Sequence, residues 1–325
     1  MNKIERQNNW TNYWKNNSVD SCRDGIKAKA SELENFWAET AAMIKDNDQV
    51  LDLCTGKGDV IQQLISYQLG EDKALAHYTG VDLSDMDSRV IEKKFGSYKD
   101  KVRFKYGTHI SELPFEEQTF EFVTSQFGIE YAFNEGVIKE ICRVMKSKGI
   151  ARFATHHKES ALIKVAKLEI QHIDLLSDKG GFFDCMKSLI PVFAKLRNPA
   201  NANKINKDQN AVSAREHFNA ESQKILTQAE KSSVPDLLNE SLSFSRQVFD
   251  IAKIKGASAA KEKLISYQSE LNLSKERMID LIDSSLDKVD LEKLDKGFVT
   301  YGKKITKKEE LKNDGEIVAW GIEIS

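Results

Sequence analysis

Val50-Leu51-Asp52-Leu53-Cys54-Thr55-Gly56-Lys57-Gly58-Asp59-Val60 is the stretch on which the fold turns. The apolar run DQVLDLC stops at TGKG, and DVIQQLISYQL then places apolar residues at helical intervals. A buried strand, a tight turn and a helix are expected in that order. Gly56 and Gly58 let backbone approach a ligand closely or adopt positive φ. The first turn of the helix adds free N–H groups and partial positive charge. Such a turn suits a carboxylate or a phosphate, although a purely structural strand-to-helix turn also needs glycine. The spacing narrows the choice. A Walker-type phosphate loop needs lysine followed by serine or threonine, whereas Lys57 is followed by Gly58. The dinucleotide pattern needs a third glycine where Ile61 stands, which weakens the case for a pyrophosphate.

Downstream, ALAHYTGVDLS reads as a second strand ending in Asp82, SRVIEKKFG as a helix and KVRFKYG as a third strand. TFEFVTSQF reads as a fourth strand, GVIKEICRVMKSKG as a helix and IARFATHH as a fifth strand. Strands alternating with helices at short intervals predict an α/β protein with a parallel sheet covered on both faces. Right-handed crossovers put the C-terminal ends of its strands along one rim. Asp82 then shares a rim with the glycine turn. A carboxylate there can accept from both hydroxyls of a ribose. The plainer alternative is a turn residue or helix cap for SDMDSRV. Near the C-terminus, GFVTYGKKI and GEIVAWGIEIS read as two strands joined by KKEELKND and paired antiparallel.

The segment between them is different. Residues 159–296 hold glycine only at 180, 181 and 256, and apolar residues recur at helical intervals. The expected layout is a helical insertion over 159–275, serving substrate or oligomer contacts, and a final helix at 276–294 opening the last part of the sheet domain, 276–325. NPANANKINKDQN, residues 198–210, is expected as an exposed loop. Residues 1–46 are expected as a helical cap or lid, with Trp10, Tyr13 and Trp14 on a first helix and Leu33, Phe36, Trp37 and Met43 on a second. The alternative is that these aromatic residues simply pack on the main domain, whose first half is residues 47–158.

Composition excludes several classes. Among 325 residues, 48 basic side chains nearly balance 50 acidic ones, so a net charge of -2 gives no global attraction to nucleic acid. Cys22, Cys54, Cys142 and Cys185 show no CxxC spacing, which argues against a zinc cluster or a disulfide scaffold and agrees with a reducing compartment. The start MNKIERQNNW is polar, and no apolar run reaches the roughly 18 residues of a membrane span. A cytoplasmic location without a membrane span is expected.

The stretches VLDLCTGKG, GVDLS, YGTHISELPFEEQTFEFVTS and CRVMKSKGIARFATHH, in that order, resemble the motifs of class I S-adenosylmethionine-dependent methyltransferases. The resemblance covers about residues 48–158 and 276–325 and omits the insertion. Cys54 stands where a first glycine often lies, Thr108 where many relatives carry an acid, and Ser147-Lys148-Gly149 replaces Pro-Gly-Gly. The resemblance implies a Rossmann-like seven-stranded sheet closed by an antiparallel pair, with S-adenosylmethionine as cofactor. It implies that Asp52 and the backbone of Gly56 and Gly58 face the methionine part, with Cys54 filling the turn. It assigns Asp82 to the ribose, Leu83 to the adenine face, and Thr108 and His109 to the adenine edge. Trp14 or Tyr13 would contact cofactor or acceptor from the lid.

Acceptor-facing positions follow the fourth and fifth strands. Ser125-Gln126-Phe127-Gly128-Ile129-Glu130-Tyr131 is not the NPPY or DPPY arrangement used on exocyclic amines of bases. Gln126 offers both donor and acceptor, and Phe127 and Tyr131 can wall a pocket. Glu130 can orient a cationic acceptor or take its proton. Alternatively, Phe127 and Ile129 are core and Glu130 is a solvated residue at a helix start. His156 and His157 are adjacent on a strand, so at most one faces the pocket while the strand lasts. Either both are structural, or one binds or deprotonates substrate. No further ligand spacing suggests a metal. The leading expectation is methylation of a small molecule at N, O or C. The alternatives are a protein or RNA methyltransferase, a non-catalytic cofactor-binding assembly module and a dinucleotide oxidoreductase. Apolar stripes in the insertion serve either internal packing or a homodimer.

Overall fold

The computed structural model describes Thr11 and residues 32–325. The expected helix with Trp10, Tyr13 and Trp14, and Cys22, lie outside the described residues.

Two compact units are formed: residues through 164 with 280–325, and residues 165–279. The first carries the sheet. After α1 (Glu32–Met43) come β1 (Gln49–Leu53), α2 (Asp59–Gly70), β2 (His77–Val81), α3 (Ser88–Phe95), β3 (Val102–Lys105), β4 (Phe120–Gln126), α4 (Glu135–Val144) and β5 (Met145–His156). The second unit holds α6 (Phe182–Lys195), α7 (Ala202–Lys207), α8 (Gln209–Lys231), α9 (Asp236–Lys255) and most of α5 (Ala161–Ser177) and α10 (Ala257–Ser284). The chain then completes the first unit with α11 (Lys288–Thr300), β6 (Ile305–Asn313) and β7 (Glu316–Ile324).

The seven strands run in the order β3-β2-β1-β4-β5-β7-β6. The strands β1 to β5 are parallel, and β7 is antiparallel to both β5 and β6. Strand order reverses between β1 and β4, where a doubly wound sheet opens its crevice. Burial on both faces explains why β1 is nearly continuous in apolar residues. Val50 faces a core with Phe36 and Trp37 of α1 and Ile61 and Leu64 of α2. Leu51 and Leu53 face the opposite core, with Val137 and Ile141 of α4 and Leu291 and Phe298 of α11.

Three expectations are corrected at the C-terminal side. GFVTYGKKI is not a strand: Gly297 to Thr300 complete α11, and β6 begins at Ile305. A Cβ on Gly297 would lie 2.7 Å from Ile138 Cδ1, so this glycine serves close packing of α11 on α4. KKEELKND, read as a connection, is most of β6. Its exposed Lys307 and Lys308 suit an edge strand and hide the apolar alternation. The true hairpin turn is Asp314-Gly315, with φ 49 and φ 83, the two positive values of a type I′ turn. The single helix expected at 276–294 is instead the end of α10 and the start of α11, because Asp287 and Asp290 form a reciprocal capping box that starts a new helix.

The second unit packs Phe182, Met186 and Ile190 of α6 against Ile225 of α8, Leu238 and Val248 of α9 and Leu264 and Tyr267 of α10. Phe193 stacks on Phe249 at 4.4 Å, and Phe244 on Tyr267 at 4.0 Å. The Asn-rich stretch 198–210 is largely helical and not a loop. Asn198 and Asp208 accept backbone N–H bonds from Ala200 and from Asn210 and Ala211, so they act as helix caps and not as breakers. No helix among the described residues is long and apolar enough to cross a membrane.

The hairpin assignment is testable. Gly315→Ala places a Cβ at φ 83 and should cost roughly 1 kcal/mol in urea unfolding, while Asp314→Gly should be neutral or stabilising. Equal midpoints for wild type and G315A would contradict the turn.

Candidate functional site

The C-terminal ends of β1, β2, β4 and β5 converge on the turn after β1. Asp52 is buried in β1, and its carboxylate accepts hydroxyl bonds from Thr55 (2.6 Å) and Thr124 (2.9 Å). Burial raises the Asp52 carboxyl to about 7; the two hydroxyls oppose this, and the nearby Asp82 and Asp59 carboxylates add to it. The turn alternates left-handed residues: Cys54 at φ 54, Gly56 at φ 51 and Gly58 at φ 76. Thr55 N–H donates to Val81 O (3.0 Å) and Gly58 N–H to Thr55 O (2.8 Å). A Cβ on Gly58 would meet Phe95 and Phe104 at 2.9 Å. Glycine here therefore answers both close packing and positive φ.

Asp82 closes the other side. One carboxylate oxygen accepts the Gly56 N–H at 2.8 Å. The other accepts the Ser84 N–H at 2.8 Å and the Ser84 hydroxyl at 2.6 Å. Burial pushes the Asp82 carboxyl up, and these bonds hold it back. Asp82 is thus both the turn residue of the plainer reading and a rim carboxylate in direct contact with the glycine turn. Tyr106 donates its hydroxyl to Gly56 O (3.1 Å), and Thr108 N–H donates to Asp82 O (2.9 Å). Leu83, Thr108 and His109 are half-buried beside them. Nδ1 of His109 lies 2.6 Å from the Ser111 hydroxyl. Trp14 lies outside the described residues, but Asp85 N–H donates to the Thr11 hydroxyl at 3.1 Å.

The exit of β4 touches the same turn. A Cβ on Gly128 would fall 2.3 Å from Cys54 Cβ. Phe127 is left-handed at φ 53, and its N–H donates to Ala154 O (2.8 Å). Gln126 accepts the indole N–H of Trp37 at 2.5 Å. Glu130, in a short 3-10 turn, is not solvated. Its Oε1 accepts the His156 backbone N–H at 2.9 Å and lies 2.5 Å from His156 Nδ1. The His156 ring stacks on Phe127 at 4.5 Å, and Tyr131 meets it edge-on at 5.9 Å. Among the described residues, Glu130 Oε2 and His156 Nε2 are buried without a partner. His157 is turned to the opposite core face, where it stacks on Trp320 at 4.4 Å and accepts the Glu159 N–H at 2.9 Å. Burial lowers its imidazole.

The Cys54 thiol is pushed up by burial and by the carboxylates of Asp82, Glu130 and Asp52. It is therefore held neutral, and three acids surround one turn. Thr55, Ser84, Thr124 and Gly128 were given no role from sequence, and Trp37 was read only as an aromatic residue of the second N-terminal helix. Ser84 carried a signal, since Asp-x-Ser is an Asx-turn pattern; the Trp37–Gln126 contact had none. A cleft of about 690 Å³ between α4 and α11 is walled by Phe133, Ile138, Leu286, Leu294 and Tyr301 with part of Glu130, but by neither Asp52 nor Asp82. The carboxylate of Glu130 is fully buried and turned toward His156. No cluster suited to a metal ion occurs among the described residues.

Asp52 sets a pH dependence. Its folded value of about 7 lies above the ordinary 3.8, so across that window the folded chain keeps a proton that the unfolded chain has lost. Stability should fall as pH rises through the window, by about 4 kcal/mol at most from this group. Asp52→Asn should remove this share, leaving those of Asp82 and Glu169, shifted in the same direction, and the opposing ones of His157 and His172, whose lowered imidazoles gain stability as pH rises. Urea midpoints of both proteins at about pH 5 and about pH 8 check this; a wild type that loses no more stability than Asp52→Asn over that range would refute it.

Residues 50–149 match the family described as a methyltransferase domain. The chain is 28% identical over 190 residues to a demethylmenaquinone methyltransferase of Bacillus pumilus (strain SAFR-032), covering 58% of this chain and 70% of that protein. It is 29% identical over 155 residues to the protein of the same name from Bacillus cereus (strain AH187), covering 47% of this chain and 57% of that protein. The solved geranyl diphosphate C-methyltransferase of Streptomyces coelicolor A3(2) is 14% identical, with a TM-score of 0.37 over 46% of this chain and 66% of that one. The matched residues, 50–149, span β1 to the start of β5 of the sheet-bearing unit, so that part of the chain is similar to a methyltransferase domain, the family its motifs resemble.

Proposed function

We propose that this chain transfers a methyl group from S-adenosylmethionine to a small-molecule acceptor at N, O or C. The observation that carries the reading is the Asp82 carboxylate bound to the Gly56 N–H, which brings the β2 acid and the β1 turn into one site. The residues fit the cofactor in charge as well. Asp52, Asp82 and Glu130 gather around Cys54 in a buried site, which favours a cationic occupant. When bound, S-adenosylmethionine supplies a methyl group on a positively charged sulfur.

Asp52, Cys54 and the backbone of Gly56 and Gly58 would hold its amino-acid end. Asp82 would take the ribose, Leu83 the adenine face, and Thr108 and His109 the adenine edge. Gln126, fixed by Trp37, would border the reacting end. Glu130, Tyr131 and His156 would face the acceptor, and His157 packs the end of β5. Trp14 and its helix would cover the site; the Asp85–Thr11 bond supports that reading. Residues 159–275 would bound the acceptor site or join two copies of the chain. A protein or RNA acceptor is the second reading. The relatives named for demethylmenaquinone favour a small molecule, and the net charge of -2 gives RNA no help. A cytoplasmic location belongs to the same proposal, supported by Cys54, Cys142 and Cys185 being unpaired.

Calorimetry with S-adenosylhomocysteine should give saturable binding, weakened about 30-fold by Asp82→Ala (roughly 2 kcal/mol). With methyl-labelled S-adenosylmethionine and a cell extract, label should enter the small-molecule fraction. Absence of binding, or label confined to macromolecules, would end the proposal.

A further inference from the structure

The helical unit closes at one end in the joint between α9 and α10. Gly256, at φ 99, turns the chain back so that Phe244 of α9 stacks on Tyr267 of α10 at 4.0 Å. The apolar stripes of both helices are spent inside the unit, through Val248, Phe249 and Ala252 on α9 and Ala260 and Leu264 on α10. Two aliphatic side chains are left over. Ile254 is 71% exposed and Ile265 is 61% exposed, the highest values for large apolar residues among those described. Ile254 stands between exposed Lys253 and Lys255, and Lys261 and Lys263 are exposed in the second turn of α10. The end of α6 meets the same joint. Phe193 stacks on Phe249 at 4.4 Å, Lys253 Nζ lies 5.2 Å from the Phe193 ring, and Arg197 lies 3.2 Å from where a Cβ on Gly256 would be. Asp250 pairs with Lys253 at 3.1 Å, and Glu262 accepts the Ser258 hydroxyl at 3.1 Å. Four lysines stand against those two acids over residues 250–263, and the adjoining Lys195 and Arg197 are also exposed. Cations at helix C-termini complement the helix dipole, which accounts for Lys195, Lys253 and Lys255. It accounts neither for Lys261 and Lys263 near the start of α10 nor for an isoleucine held out in water.

We infer that this end of the helical unit docks on an anionic lipid surface, with Ile254 entering the headgroup layer and the flanking lysines lying against lipid phosphates. The inference goes beyond the methyltransferase reading and does not rest on it. Charge and apolar exposure together choose this partner. A cation-rich end attracts a negatively charged surface. A second copy of the same face would set like charges against each other. A nucleic-acid backbone would answer the cations but offers an aliphatic side chain nothing. A headgroup layer takes both: its phosphates meet the ammonium groups, while the lysine stems and the isoleucine leave water beneath them. One aliphatic anchor with a few cations gives weak, reversible attachment that needs both parts. The contact is peripheral, since no helix among the described residues is long and apolar enough to cross a membrane.

Flotation of the full chain with lipid vesicles tests this. Vesicles of equal parts phosphatidylglycerol and phosphatidylcholine should carry the protein at low salt, and ~0.5 M salt should release it. Vesicles of phosphatidylcholine alone should not carry it. Ile254→Ser should weaken binding about tenfold, and Lys253→Glu with Lys255→Glu by more than about tenfold. Val289→Ser, at an exposed aliphatic position on α11, should change nothing. In Ile254→Trp, the emission added over wild type should be quenched by brominated lipid in the anionic vesicles. All of these positions are exposed, and unchanged thermal unfolding shows that each variant is folded. No flotation of the wild type with anionic vesicles, equal flotation with phosphatidylcholine alone, wild-type binding by folded I254S, or unquenched emission from I254W would each overturn the inference. So would capture of poly(U) by a chain that leaves the vesicles alone, which would assign the cations to nucleic acid. Binding of S-adenosylhomocysteine is read separately, so the methyltransferase reading stands or falls apart from this one.

Discussion

The 2.8 Å bond from Gly56 N–H to Asp82 is the constraint on which the site depends. It crosses from the turn after β1 to the end of β2, and Thr55 N–H to Val81 O runs beside it. A buried carboxylate is tolerated only when fixed donors replace its water, and Gly56 and Ser84 supply three. The donors exist because the turn is left-handed at Gly56, which aims an N–H inward where a helix or strand would spend it on its own ladder. Thr108 and Tyr106 then anchor the third strand's exit to the same two residues. Three segments, the β1 turn, the β2 end and the β3 exit, are thereby joined at Gly56 and Asp82.

The same reasoning explains a departure from the resembled family. Cys54 occupies a left-handed position at which glycine is ordinary, and its side chain must go somewhere. It goes to the space that Gly128 leaves, where a second Cβ would be 2.3 Å away. A glycine missing from one strand exit is thus matched by a glycine at the other. This contact also makes the turn after β1 and the segment carrying Glu130 mechanically continuous.

Much of the architecture was legible because its signals are local. Alternating strand and helix periods gave the parallel sheet, and the break at TGKG gave the turn. Asp82 could be placed on the rim because it ends the second strand of a parallel sheet. What failed depended on partners distant in sequence. The edge strand β6 carries charges because one of its sides faces solvent, so its pattern resembles a loop. The Asn-rich stretch became helical because Asn198 and Asp208 found backbone donors to cap. Parity said that His156 and His157 oppose each other. Which one meets Glu130 is decided by the stack of Phe127 on one face and of Trp320 on the other, residues 29 and 163 positions from their respective histidines.

The three acids of the site differ in one respect that separates their roles. Asp52 and Asp82 have both oxygens engaged by donors belonging to the sheet and its turns, so their orientation is set before any ligand arrives. Groups fixed in that way hold and orient whatever they touch. Glu130 is different. One oxygen is spent on His156, and the other is buried with no partner among the described residues. Counting donors at each oxygen thus separates the fully engaged pair at β1 and β2 from Glu130 at the exit of β4, whose Oε2 has no partner among the described residues.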